Sequence, residues 1–159
     1  MVTMRTIRVV FTAGVLALVL PAAAFAAGSS SSASTGDSDV DGNYGMAKTA
    51  IAQFKYDEAK GYLQKVLAAK PDDADALNLM GFTERKLGDP GQSLEYYNKA
   101  LALNPKHLGA NEYLGELYLE LKEPNLAEQR LAVLQQACGN CEEYTELKEK
   151  IEKFKANPS

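Results

Sequence analysis

Residues 74–107 read ADALNLMGFTERKLGDPGQSLEYYNKALALNPKH, and the pattern within them predicts the fold. From Leu77 onwards, its apolar side chains recur at the spacing of one helix face. The turn sequence GDPG at 88–91 interrupts that pattern, and a second helical stretch follows at 93–103. Asn-Pro at 104–105 then ends it. The stretch therefore predicts two helices joined by a tight turn.

The same pattern returns along the chain with a period of 34 residues. The positions that repeat are Ala59, Ser93 and Ala127 for small residues, Leu63, Tyr97 and Leu131 for larger ones, and Pro71 and Pro105 for the proline that ends a unit. A single helical hairpin cannot bury its apolar face alone, so successive hairpins are expected to stack and share one continuous core.

A helical hairpin with this period resembles the tetratricopeptide repeat. The residues that carry the resemblance are Leu77, Met80, Gly81, Leu87, Gly88, Ser93, Tyr97, Ala100 and Pro105, and in the next unit Leu114, Gly115, Tyr118, Ala127, Leu131 and Leu134. The resemblance implies an all-α helical-hairpin solenoid over residues 42–156, with about three repeats at 42–73, 74–107 and 108–140. Asn43 and Ala50 stand where large residues are usual, so the opening helix is expected to be weak.

Residues 141–156 predict a capping helix that closes the last apolar face of the solenoid. One stripe of this segment carries its large apolar side chains. These are Tyr144, Leu147, Ile151 and Phe154.

Residues 1–26 predict a signal peptide. Arg5 and Arg8 precede an apolar, charge-free stretch at 9–20, and the A-x-A sequence at 24–26 offers a cleavage site. An uncleaved membrane anchor is the alternative, because the charge-free stretch is long enough to cross a bilayer. In both cases the rest of the chain is exported, so a periplasmic or otherwise exported location is expected, with membrane attachment only if the segment stays uncleaved.

Residues 27–41 predict a disordered linker rich in Ser and Asp, since a single large apolar side chain cannot offset the entropy of ordering. Within it, DSDVDG at 37–42 fits the first half of a calcium-binding loop. Lys48 occupies the position where such a loop needs a bidentate glutamate, so a coincidence in an acidic linker is favoured.

Composition and motifs argue against an enzyme. The formal net charge is −4, which does not favour binding to nucleic acid through bulk charge. His107 is the only histidine, with no nucleophile or carboxylate at a suggestive spacing, and no phosphate-binding or dinucleotide motif is present. Two cysteines and one histidine fall short of the roughly four ligands of a zinc site, so we expect no metal, no cofactor and no catalytic residue.

Cys138 and Cys141 are the only cysteines, and they stand where a proline ends the earlier repeats. In an exported protein, thiols this close are expected to form a structural disulfide. A redox-active pair is an alternative because a helix N-terminus stabilises a nearby thiolate, although no strand pattern of the thioredoxin type flanks the motif. Free thiols are the third alternative.

The resemblance implies that the first helix of each repeat lines a concave face. The residues it assigns to this groove are Asp75, Asn78, Phe82, Arg85 and Lys86 in the second repeat, and Glu112, Tyr113, Glu116 and Glu120 in the third. The aromatic side chains Phe82 and Tyr113 are expected to be exposed anchors for a partner.

Glu112, Glu116 and Glu120 recur every four residues on one helix face. Like charges at this spacing repel one another, so the row is either a ridge that binds a basic partner or a solvated face partly neutralised by Arg85 and Lys86.

The predicted function is that of an exported scaffold that binds a protein or peptide segment in the concave groove. A thiol-redox accessory protein is the alternative, and weak self-association through an open solenoid end is a third hypothesis. The family's clamp for a chaperone's C-terminal carboxylate is not reproduced at the matching positions, which disfavours a cytosolic co-chaperone. Those positions hold Tyr44, Lys48, Leu79, Gly109 and Tyr113.

Overall fold

The computed structural model describes residues 35–157, which form seven α-helices and, within that range, no strand. The helices are α1 (Thr35–Ala52), α2 (Tyr56–Ala69), α3 (Ala74–Lys86), α4 (Pro90–Leu103), α5 (Leu108–Glu120), α6 (Pro124–Ala137) and α7 (Glu142–Ala156). The all-α prediction of stacked helical hairpins is confirmed. None of the described helices is long and apolar enough to cross a membrane.

Each hairpin turns at a residue in the left-handed backbone conformation. Phe54, Gly88 and Lys122 have φ values of 60°, 86° and 62°, and they lie at the repeat spacing. The second helix then starts with local signals: Pro90 begins α4, and the Asp89 side chain accepts a hydrogen bond from the backbone N–H of Gln92 at 2.9 Å. The turn residues therefore recur with the same 34-residue period as the helices.

Small residues let the helices approach closely, as the repeat pattern predicts. A Cβ at Gly81 would lie 2.7 Å from the Tyr97 ring, and one at Gly115 would lie 2.5 Å from Cδ2 of Leu147. Both neighbours are fully buried. Gly81 thus allows the two helices of one hairpin to pack closely, whereas Gly115 allows α7 to pack closely against α5. A side chain at either position would force the helices apart.

The linker prediction is wrong for residues 35–41, which belong to helix α1. Val40 is buried and packs in one cluster with residues of α2, and Lys70 Nζ reaches Asp37 Oδ1 at 2.8 Å. Tertiary contacts thus order a segment whose composition alone favours disorder. Because residues two apart on a helix do not face each other, 37–42 is not a calcium loop. The predicted signal peptide and residues 27–34 lie outside the described residues.

Helix α7 lies in the position of the first helix of a further hairpin. It packs on both α5 and α6 and buries Leu147 and Ile151. Consecutive first helices contact each other directly, α3 with α5 and α5 with α7, and so form one shared inner face. This face corresponds to the predicted groove.

Candidate functional site

The centre of the inner face is an aromatic pair with a cation above it. The ring centroids of Phe82 on α3 and Tyr113 on α5 are 5.1 Å apart. The Arg85 guanidinium lies 5.7 Å from the Phe82 ring and 5.9 Å from the Tyr113 ring, and Lys86 Nζ lies 5.2 Å from the Phe82 ring. Such geometry supports attraction between cation and ring faces. The structure therefore brings four of the predicted groove residues together.

The expectation that Phe82 and Tyr113 are exposed is wrong, because both are half-buried. Each ring covers part of the other, and Arg85 covers both, so they present only partial surface to a ligand. Asn78 is buried as well, with its amide against α5 at Gly109. Lys86, Glu120 and Asp75 remain exposed.

Arg85 is held in place by carboxylates. Its side chain is only 3% exposed, and Nη2 donates to Glu116 Oε2 at 2.6 Å. Glu120, which is largely exposed, approaches Nη1 at 3.5 Å. Burying an unpaired guanidinium would be costly, so Glu116 is a structural partner of Arg85.

The three glutamates on α5 do not form a free acidic ridge. Lys150 on α7 points into the same cluster, where its Nζ contacts Glu116, approaches Glu112 Oε1 at 3.7 Å and donates to Glu146 Oε2 at 3.2 Å. Most of the charge on α5 is thus compensated from within the chain, by Arg85 and Lys150. Lys86, expected to share in this neutralisation, instead lies over the Phe82 ring.

Lys150 and Glu146 were missed by the sequence analysis, although the repeat period offered a signal. They lie one period after Glu116 and Glu112, so the spacing that predicts the core also places their side chains beside those of α5. Oxygen atoms of Glu112, Glu116 and Glu146 lie within 4.8 Å of one another, an arrangement that suits a cation. The Lys150 ammonium group already provides that positive charge.

The pKa values of Glu112, which is buried, and Glu116, which is half-buried, are shifted in opposite directions. Burial raises the pKa of Glu112 well above its usual range, and the neighbouring charge of Glu116 adds to the effect. Burial acts the same way on Glu116, but the hydrogen bond from Lys150 and the charge of Arg85 outweigh it and hold the pKa of Glu116 below its usual range. Burial, together with the neighbouring carboxylates of Glu116 and Glu146, therefore explains why Glu112 favours its protonated form.

His107 has a structural role at the junction between repeats. Its Nδ1 accepts from the backbone N–H of Ala110 at 3.1 Å and so caps α5, while Nε2 lies 2.9 Å from Asp75 Oδ1. Both ring nitrogens are therefore engaged in linking α3 to the start of α5.

Cys138 and Cys141 are joined by a disulfide, with an S–S distance of 2.03 Å and Cα atoms 5.6 Å apart. Cys138 follows the last residue of α6, and Cys141 precedes the first residue of α7. Between them, Gly139 adopts a φ of 75°, which glycine accepts without a steric cost. The bond thus ties the end of one helix to the start of the next.

Two clefts flank the aromatic centre. One, of about 440 Å³, lies between the ends of α5 and α7. Its lining residues are Leu119, Glu120, Lys150, Lys153, Phe154 and Asn157. The other, of about 270 Å³, lies at the turn edge between Phe54 and Leu87. Neither was predicted from the sequence, since each depends on how consecutive repeats meet.

Known proteins share this repeat. Two tetratricopeptide-repeat family profiles match residues 44–82 and 84–151. The "Protein CTR9 homolog" of Arabidopsis thaliana is 37% identical over 70 residues, which span 42% of this chain and only 6% of that protein.

Solved structures agree in fold. The first TPR of Spaghetti (RPAP3) bound to an HSP90 peptide superposes with a TM-score of 0.66 at 21% identity, covering 76% of this chain and 95% of that one. The type III secretion translocator chaperone SycD of Yersinia enterocolitica gives 0.67 at 18% identity, covering 77% and 87%. With its period, its stacked hairpins and both profile matches, the chain belongs to the tetratricopeptide-repeat family.

Proposed function

We propose that this protein is an exported interaction scaffold that holds a segment of a partner protein against its inner helix face. The observation that carries the proposal is the Phe82–Tyr113 pair, which offers partly exposed aromatic surface beside the exposed ammonium group of Lys86. Aromatic side chains in a concave surface commonly anchor a partner. The solved TPR of RPAP3, which binds an HSP90 peptide, shows that the same fold accommodates a peptide segment.

The partner segment is recognised through apolar contact more than through bulk charge. Glu116 is paired with Arg85 and Lys150, and Glu112 is buried, so neither offers a free charge to a basic ligand. The clamp positions hold Tyr44, Lys48, Leu79, Gly109 and Tyr113, so a C-terminal carboxylate is not the expected anchor either. An apolar or aromatic side chain on the segment would contact the exposed part of the Phe82 ring next to Lys86.

Export rests on the N-terminal sequence alone. The basic start, apolar stretch and small residues at 24–26 support removal of residues 1–26 by signal peptidase. Mass spectrometry of the protein from its producing cell should therefore find an N-terminus between Phe25 and Ser29. Recovery of intact Met1 in a membrane fraction would instead favour the uncleaved anchor.

The groove is tested with peptides selected on the purified protein from a random peptide library displayed on phage. Lys86 and Lys99 form a matched pair of variants, because each lies over an aromatic ring, at 5.2 and 5.1 Å, on α3 and α4 respectively. Lys86→Glu should change binding of the selected peptides by about tenfold, because it reverses the charge beside the aromatic pair, whereas Lys99→Glu, on a second helix of a hairpin, should leave it unchanged. Equal effects of the two reversals would place the binding surface elsewhere.

A further inference from the structure

Phe54 lies at a turn position whose positive φ is unfavourable for a phenylalanine side chain. The equivalent positions of the next two hairpins are Gly88 and Lys122, and all three have positive φ. The left-handed conformation places Cβ close to the backbone carbonyl, a penalty that glycine escapes and that is unusual for a bulky side chain. A bulky residue in an unfavourable backbone conformation is a reason to look for a functional role at that position.

The Phe54 ring is also exposed to solvent. Its exposed fraction is 79%, above that of the other exposed large apolar residues in the described part of the chain. The ring pairs edge-to-face with that of Tyr56, with centroids 6.5 Å apart. Together with Leu87, these two rings line the turn-edge cleft of about 270 Å³, which is large enough to admit one apolar side chain.

A row of aromatic rings links this cleft to the groove. From Phe54 the rings continue to Tyr56, then to Phe82 at 6.3 Å, and on to Tyr113 at 5.1 Å. An aromatic track therefore runs from the turn edge to the centre of the inner face. A bound segment that follows these rings passes from the turn-edge cleft to the Phe82–Tyr113 pair.

The charged residues that line the turn-edge cleft indicate which charge a ligand in the cleft would carry. The rim carries Lys55, Asp57 and Glu58, of which Lys55 and Glu58 pair at 3.6 Å. Asp57 is exposed and has no ion pair within residues 35–157. The lining thus has one negative charge in excess, which is complementary to a cation on the ligand.

We propose that the cleft between Phe54 and Leu87 is a second anchor site for the segment held in the groove, and that it takes an apolar side chain next to a lysine or arginine. This inference rests on the proposed function, since it extends the same binding surface. The site explains why phenylalanine stands where the second hairpin has glycine.

The test is Phe54→Gly, a variant that should not harm the fold. Because glycine suits the positive φ, its melting temperature should equal or exceed that of the wild type. Peptides selected on the wild type from the phage-displayed random library should contain an apolar residue beside a cation. They should bind Phe54→Gly about tenfold more weakly. Leu103→Ala, at an exposed leucine away from the track, is the control and should bind normally.

A double-mutant cycle locates the contact. Replacing the apolar peptide residue by alanine should cost about tenfold against the wild type and nothing further against Phe54→Gly. Binding of Phe54→Gly within twofold of the wild type, or additive losses in the cycle, would overturn the second anchor. If Phe82→Leu weakens binding in that case, the groove itself stands. The groove and the second anchor both fail if the library yields no binder. They also fail if Phe54→Gly, Phe82→Leu and Lys86→Glu all leave binding unchanged.

Discussion

The two ends of the repeat array are built differently. At the start, the buried residues of α1 between positions 37 and 52 are Val40, Ala47 and Ala50. The same helix carries Gly42 and Gly45, around which an added Cβ would find nothing within 4 Å. At the other end, α7 buries Leu147 and Ile151. It is also tied down by the disulfide, by the Lys150 cluster and by an ion pair from Lys155 to Glu128 at 2.6 Å.

This difference shows how a linear array is stabilised. Each hairpin contacts only its neighbours, so the stability of an end depends on its own residues and on one interface. Helix α1 is therefore expected to open before the rest of the domain, while α7 should open with α5 and α6. The weak opening helix expected from Asn43 and Ala50 fits this picture.

The largest loss of stability is expected for Gly115→Leu, which disrupts the packing of α7 at the C-terminal end. A Cβ at this position would already meet Leu147 at 2.5 Å, and Leu147 is fully buried, so a full side chain must displace α7. The free energy of unfolding should fall by about 3 kcal/mol or more. Chemical denaturation would measure the loss, and an unchanged midpoint would show that α7 does not pack against α5 as described.

Removal of the disulfide is expected to have the next largest effect. Replacing Cys138 and Cys141 by serine frees the junction between α6 and α7 and should lower the free energy of unfolding by about 1–3 kcal/mol. Hydrogen exchange should increase in α7 and stay unchanged in α1.

Thiol titration distinguishes the alternatives for the cysteine pair. Exported protein should be unreactive to alkylation until a reductant is added. Ready labelling without reductant would point to free thiols, and a measurable disulfide-exchange activity would support the redox hypothesis.

The Lys150 cluster predicts pH effects of opposite sign. Because the folded-state pKa of Glu112 is raised, the folded state holds that proton more tightly, and stability should fall as the pH rises from the ordinary glutamate range through the raised value. The pKa of Glu116 is lowered, so its contribution is present above the ordinary glutamate pKa and is lost as the pH falls through the folded value.

Two variants separate these contributions. Glu112→Gln should remove the decline towards alkaline pH and stabilise the protein there, whereas Glu116→Gln should destabilise it at neutral pH by breaking the pair with Arg85. Melting temperatures across a pH series would measure both. Identical profiles for the two variants would contradict the assignment of the proton to Glu112.

The smallest effect is expected at the N-terminal end. Gly45→Ala adds a methyl group in open space on α1 and should stabilise the protein by about 0.5–1 kcal/mol, because alanine loses less backbone entropy in a helix. The change should slow hydrogen exchange in α1 and leave α7 unaffected. A destabilised protein would mean that the Gly45 face of α1 is covered in solution.

Much of the fold was predictable because the repeat pattern reflects contacts between residues that are close in the sequence. Apolar spacing, the GDPG turn and the small residues at Gly81 and Ser93 each act on near neighbours, and the 34-residue period multiplies the signal. The groove was only partly predictable. The resemblance to the tetratricopeptide repeat assigned Phe82 and Tyr113 to the groove, but it did not show that each ring covers part of the other.

The helices, their order, the hairpin register and the family could therefore be predicted from the sequence, since these follow from contacts within one or two repeats. Three features became visible only in the packed structure: that α1 begins at Thr35, that Lys150 compensates the glutamates of α5, and that the Phe54 ring starts a row of aromatic rings that reaches the groove. Each of these depends on side chains that meet across separate helices. There burial and the field of neighbouring charges set the outcome, and no local pattern encodes either.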